Sequence, residues 1–135
     1  MAEVKPEDLH YAKTHEWVSV AEVAGQKIAT VGISAFAVEA LTDLVFIELP
    51  KVGGQVEAEQ PFCEVESVKA VSDVYAPVTG EVIEVNKTLP DKLEILGSDP
   101  YNEGWIAKIR ITDESNLGNL LDFAAYERQC AEEGH

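Results

Sequence analysis

Basic residues are scarce in this 135-residue chain. Ten Lys and Arg stand against 25 Asp and Glu, a formal charge of −15 with the three His neutral. Phosphate-backbone binding needs clustered Lys and Arg to displace counterions, so the balance argues against nucleic acid. It disfavours an anionic membrane surface for the same reason. A surface of this sign suits a basic partner, or simply solubility. Cysteine is nearly absent: Cys63 and Cys130 lie 67 residues apart, with no CxxC and no Cys/His cluster. That excludes a disulfide framework and a zinc site and leaves two small hydrophobes. No run approaches the roughly 18–20 apolar residues of a membrane-spanning helix. The opening Met-Ala-Glu-Val-Lys-Pro-Glu-Asp lacks both the apolar core of a secretory signal and the Arg/Ser bias of a transit peptide. The expectation is an intracellular chain beginning at its own Met, with no membrane partner.

Catalytic signatures are missing as well. Gly53-Gly54 opens a turn without GxGxxG or GxxxxGK spacing, and there is no GxSxG elbow or HExxH pair. His10, His15 and His135 share no metal-ligand spacing, so no metal is expected. Thr14-His15-Glu16 does bring a hydroxyl, an imidazole and a carboxylate together. On an extended strand, however, His15 and Glu16 face opposite sides, and His15 reads as a structural histidine.

What the chain does hold is an ordinary core composition, 46% hydrophobic and 26% charged, for one domain. Its organisation reads as an N-terminal extension (1–13, loosely held, with one helical turn at Pro6 to Leu9), a β core (14–112) and a C-terminal helical segment (113–135). His15 to Glu22 and Lys27 to Ile33 flank Gly25 as a hairpin. Ser34 can cap a short helix over 35–41. Strand signals follow at Leu44 to Leu49, Gln55 to Glu57, Phe62 to Glu66, Val71 to Tyr75, Glu81 to Val85 and Trp105 to Ile111. Alternation within Glu81 to Val85 suggests one wet and one buried face. Residues 86–104 form a long excursion, uncommon unless functional or partly structured. Asp122 caps a final helix with Phe123, Tyr126 and Cys130 on one face. Many short strands with helices at the margins predict a sandwich or small barrel.

Two details stand apart. Gly54-Gln55-Val56 and Gly80-Glu81-Val82 repeat a Gly-polar-Val pattern, with Val56 and Val82 each 13 residues from Lys69. Between Phe62 and Ala76 there is also no Gly, Asn or Pro, although two strand-like runs meet at Val68-Lys69-Ala70. Either one long strand continues, or a turn forms against local preference, and such violations tend to mark functional positions. A lysine there is commonly an edge-strand guard. At an exposed tip its amine can instead be acylated to carry a cofactor.

Glu66-Ser67-Val68-Lys69-Ala70, followed by Ser72-Asp73-x-Tyr75-Ala76-Pro77-x-x-Gly80-Glu81-Val82, resembles the lipoyl-attachment hairpin of the glycine cleavage system H protein family. His15-Glu16-Trp17-Val18, Ala29 to Ile33, Glu39-Ala40-Leu41, Val45 to Pro50, Asp99-Pro100-Tyr101-x-x-Gly104-Trp105 and the Leu120 to Glu127 helix extend the likeness along nearly the whole chain. The resemblance implies a mainly β barrel-sandwich hybrid: two antiparallel sheets related by a pseudo-twofold, with short peripheral helices including one at the C-terminus. It implies a monomeric carrier with no catalytic residue of its own, bearing lipoate in amide linkage on Lys69 and serving glycine catabolism and one-carbon metabolism in the bacterial cytoplasm, or in the mitochondrial matrix for a mature eukaryotic chain.

Its implied partners are a pyridoxal-phosphate glycine decarboxylase that loads an aminomethyl group, a tetrahydrofolate-dependent aminomethyltransferase that removes it, a flavin dihydrolipoamide dehydrogenase that reoxidises the arm with NAD, and a lipoyl-transferring enzyme. Thr14, Glu16 and Asp73 match the family's cleft for the loaded arm. The chain departs from the family pattern at Thr42 and at Leu93 to Gly97, which bears on loop packing and partner fit, and Phe36 stands where a histidine would otherwise be possible, so any role for a histidine there is lost. A lipoyl domain of a 2-oxo-acid dehydrogenase would carry Asp-Lys-Ala, and a biotin carrier Met-Lys-Met; Val68 and Ala70 argue against both. A lipoate-relay adaptor outside glycine cleavage, and an unmodified acidic β domain, stay open.

Overall fold

The computed structural model describes residues 5–41 and 43–133. The Thr42 departure, His135 and the opening residues 1–4 lie outside the described residues. Among the described residues, nine strands form two antiparallel sheets. The larger runs β1 (His10–Tyr11), β2 (Glu16–Val23), β3 (Gln26–Ile33), β9 (Ala107–Asp113), β8 (Thr79–Val85), β5 (Gln55–Val56); the smaller runs β4 (Leu44–Glu48), β6 (Pro61–Ser67), β7 (Val71–Tyr75). Helices α1 (Ala35–Leu41), α2 (Glu94–Ser98) and α3 (Phe123–Glu133) lie between and after them. Among the described residues no helix is long and apolar enough to cross a membrane.

The β2–β3 hairpin forms as expected. Its two-residue loop places both Ala24 (φ +52°) and Gly25 (φ +80°) in the left-handed region, the geometry that matches strand twist. Ser34 caps α1 by accepting the Ala37 N–H (3.2 Å), and Asp122 caps α3 by accepting the Ala125 N–H (2.8 Å). The repeated Gly-polar-Val segments prove to be partners: Gln55 faces Glu81 and Val56 faces Gly80 in the β5–β8 ladder. Gly80 is required by close approach, since a Cβ there would sit 2.0 Å from the Arg110 carbonyl oxygen.

The expected alternation in β8 does not hold. Ile83 is a bulge between Val82, opposite Ile109, and Glu84, opposite Lys108. The extra residue resets the pleat, so Glu81 and Glu84 both face outward. There they meet Arg110 (2.6 Å) and Lys108 (3.8 Å), while Val82 stays in the core.

The main core lies between the sheets, built on Val18, Val31, Ile47, Val65, Val78, Ile106 and Ile109. A second cluster joins Leu9, Tyr11, Trp17 and Tyr126. Residues 9–11 are therefore not a loose extension: Tyr11 is fully buried, exchanges backbone bonds with Leu121, and stacks on Tyr126 at 4.2 Å. Aromatic burial from three distant segments outweighs the polar character of the flanking sequence. The 86–104 excursion is partly helical and tied down by buried Asn86, whose Nδ2 donates to Glu103 O (2.8 Å) and Trp105 O (2.9 Å). Trp17 Nε1 reaches the same excursion at Pro100 O (3.0 Å).

Candidate functional site

Strands β6 and β7 pair in register, Glu66 with Val71 and Glu64 with Asp73, and Val68-Lys69-Ala70 turns between them. Of the two possibilities open in the sequence, the turn is the one that forms. None of its three residues takes a positive φ. Hydrogen bonding does the work that glycine usually does. Ser67 N–H donates to Ala70 O (2.8 Å), and Ser67 Oγ, nearly buried, both accepts from Ala70 N–H and donates to Ala70 O (3.2 Å each). Val68 N–H is anchored outside the hairpin on Asp43 O (3.1 Å).

The result is a fixed turn with exposed side chains, Val68 at 71%. No hydrogen bond or ion pair to Lys69 is found among the described residues. Its amine is accessible and lies in the turn, ahead of the edge strand β7 and not on it, which fits an acylated attachment point.

Glu66 sits on the outer face of the small sheet between exposed Phe46 and Val71. In the next row, Glu48, Glu64 and Asp73 face one another across three strands, and no ion pair to them is found among the described residues. Like charges on neighbouring strands cost a few tenths of a kcal/mol or more, ~0.2–1 per pair.

Thr14 and Glu16 come together: the Thr14 hydroxyl donates to Glu16 Oε1, and the Tyr75 N–H donates to Oε2 (3.1 Å). Glu16 is 1% exposed, the one fully buried carboxylate among the described residues. Burial pushes its pKa from 4.5 up to about 7, against the opposing pull of the Thr14 and Tyr75 bonds. Thr14 and Tyr75 line a surface cleft of about 580 Å³ that continues past Glu59, Pro77 and Asn116. Asp73 is exposed and stands two residues from Tyr75 on β7, lining a neighbouring groove with Glu48, Pro50 and Phe62.

His15 is not a strand residue. It closes the β1–β2 loop with φ +82°, and its ring joins Tyr126 Oη through Nδ1 (2.7 Å) and Glu133 Oε1 through Nε2 (3.0 Å) while stacking on Phe36. The Tyr75 amide, Tyr126 and Glu133 escape sequence reasoning, because a backbone N–H has no residue-type signal and the helix partners lie more than 100 positions away.

A two-sheet β domain that presents an exposed lysine at the tip of a hydrogen-bonded turn has the form of a carrier protein. Comparisons with known proteins give the family. The glycine cleavage H-protein family profile matches residues 9–133. The chain is 54% identical over 129 residues to the glycine cleavage system H protein of Rhodopirellula baltica, covering 96% of this chain and 97% of that one. It is 52% identical over 129 residues to that of Halorhodospira halophila, with the same coverage. Its fold superposes on the crystal structure of a glycine cleavage system H protein from Mycobacterium marinum with TM-score 0.83 and 40% identity, over 93% of this chain and 98% of the other. The chain belongs to the glycine cleavage H-protein family and is a carrier component of that multienzyme system.

Proposed function

We propose that this chain is the lipoyl-bearing shuttle of glycine cleavage. It carries the aminomethyl group from the pyridoxal-phosphate glycine decarboxylase to the tetrahydrofolate-dependent aminomethyltransferase, and it is then reoxidised by dihydrolipoamide dehydrogenase. Lys69 is the attachment residue, and a bacterial cytoplasmic setting is supported by the bacterial relatives. The observation that carries the reading is the unengaged Lys69 amine on a hydrogen-bonded turn in a chain of this family. Lipoate in amide linkage supplies a redox-active dithiolane that accepts and releases the one-carbon amine.

The chain's own residues present and shelter. Ser67 and the Asp43 carbonyl hold the base of the arm. Exposed Phe46, Val68 and Val71 with Glu66 offer an apolar and acidic face around it for partner enzymes. Thr14 on the cleft wall and Glu16 bonded behind it are the groups for a cationic amine, and Asp73, in the neighbouring groove, is the third residue matched to the family's cleft. A carboxyl with a pKa near 7 protonates an arriving neutral amine and keeps the resulting ammonium by a charge-assisted bond.

Intact mass of the chain incubated with lipoate and a lipoyl-transferring enzyme tests the attachment: the wild type gains one lipoyl group and Lys69→Arg gains none. A wild type that stays at the bare-chain mass refutes the carrier reading. Glycine-dependent CO₂ exchange with the decarboxylase separates the shuttle from a lipoate-relay role. For the cleft, Glu16→Ala and Asp73→Ala accept lipoate normally and lose the aminomethyl group faster; unchanged loss in both removes these residues from the assignment.

A further inference from the structure

Lys13-Thr14-His15 is a three-residue loop: His15 N–H donates to Ala12 O (2.9 Å) and Ala12 N–H to Glu16 O (2.8 Å). This pattern calls for a left-handed final residue, and glycine is its usual occupant. His15 takes the position at φ +82°. A side chain there persists only where its surroundings over-determine it.

Those surroundings come mainly from α3. Glu133 accepts only, so a neutral His15 ring donates from Nε2 to Glu133. Nδ1 then accepts the Tyr126 hydroxyl proton, and the Tyr126 oxygen accepts from Ser34. Hydrogen bonding from His15 and Gln129 holds the Glu133 carboxyl below its usual range. Gln129 Nε2 also donates to the Lys13 carbonyl (2.8 Å), and His15 O accepts the Ser34 N–H (2.9 Å). In an extended segment, Thr14 and Glu16 would stand about 7 Å apart at their roots. The left-handed residue between them folds the Thr14 hydroxyl onto the Glu16 carboxyl.

We propose that His15 is a positioning residue: locked left-handed by Tyr126, Gln129 and Glu133 of α3, it sets Thr14 on Glu16 and so holds that carboxyl against the Tyr75 amide. The functional consequence, retention of the loaded amine, rests on the cleft reading above; the geometry does not.

Amide hydrogen exchange on the full chain tests it. His15→Asn keeps a residue that tolerates the left-handed region but loses the ring contacts. The Tyr75 amide then exchanges about tenfold faster or more, while Ala29 and Val31 in β3 keep their wild-type rates. Glu133→Ala, at an exposed helix end, gives a smaller acceleration at the same amide and serves if His15→Asn fails to fold. Acceleration spread evenly over Tyr75, Ala29 and Val31 means simple destabilisation and overturns the proposal, as does a Tyr75 rate unmoved in both variants. Faster exchange at Tyr75 with unaltered amine retention keeps the positioning role and removes the amine reading instead.

Discussion

Replacing Glu16 by Gln isolates the energetic consequence of burying a carboxyl behind Thr14 and Tyr75 of the cleft wall. The change is nearly isosteric: one oxygen still accepts the Tyr75 N–H, and the new amide donates to the Thr14 oxygen. The folded protein holds the Glu16 proton to about pH 7, the unfolded chain only to about 4.5. Between those values the native state binds more protons, so wild-type stability falls as pH rises. Below about 4.5 the penalty is absent because both states are protonated. Above about 7 it is complete, at about 3 kcal/mol.

Urea unfolding of both proteins across pH 4.5–8 measures the difference directly, because the other carboxylates cancel between them. The variant should match the wild type within about 1 kcal/mol at the acid end. It should exceed it by about 2–3 kcal/mol at pH 8. A pH-independent gap, or a wild type that is the more stable at pH 8, refutes the assignment of a raised pKa to Glu16. If the gap opens as expected, the cleft carries a destabilised anion at neutral pH that a bound cation relieves.

Gly80→Ala forces a Cβ into the Arg110 carbonyl and should cost about 3 kcal/mol or more, seen as a fall on the order of 10 °C in the melting midpoint. Asn86→Ala strands two carbonyls that its amide now satisfies. It should cost about 2–3 kcal/mol, with faster amide exchange confined to residues 89–104 and none at the hairpin.

Elements with local causes were readable before any coordinates. The Gly25 turn, the Ser34 and Asp122 caps, and the Val71 to Tyr75 run each carry their own signal in neighbouring residues, and each falls within a residue or two of its expected place. The absence of Gly, Asn and Pro marks Val68-Lys69-Ala70 as unusual but leaves a continuous strand open, and it is the family resemblance that singles out Lys69; the structure shows the turn. What holds that turn, Ser67 bonding across to Ala70, uses a side chain within the same five residues. The failures are all tertiary. Ile83 bulges because core packing of Val82 and ion pairing of Glu84 cannot both be met by strict alternation. Tyr11 is buried because α3 arrives from more than 100 residues away, and His15 leaves the strand for the same reason. Glu16 acquires its second donor from Tyr75, 59 positions on, where only folding makes them neighbours.

The turn that carries Lys69 has one further consequence. Ser67 and the Asp43 carbonyl restrain the turn's backbone, so swing belongs chiefly to the lysine side chain and whatever it bears. The volume explored is then a shell of fixed centre, set by arm length rather than by loop motion. A site within that shell meets the carried group at a higher local concentration than a floppy loop would provide, and a site outside it meets none. If Lys69 bears the arm, as proposed, partner enzymes would have to bring their active sites to a fixed radius from this turn, which would make its position on the fold a shared ruler for each of them.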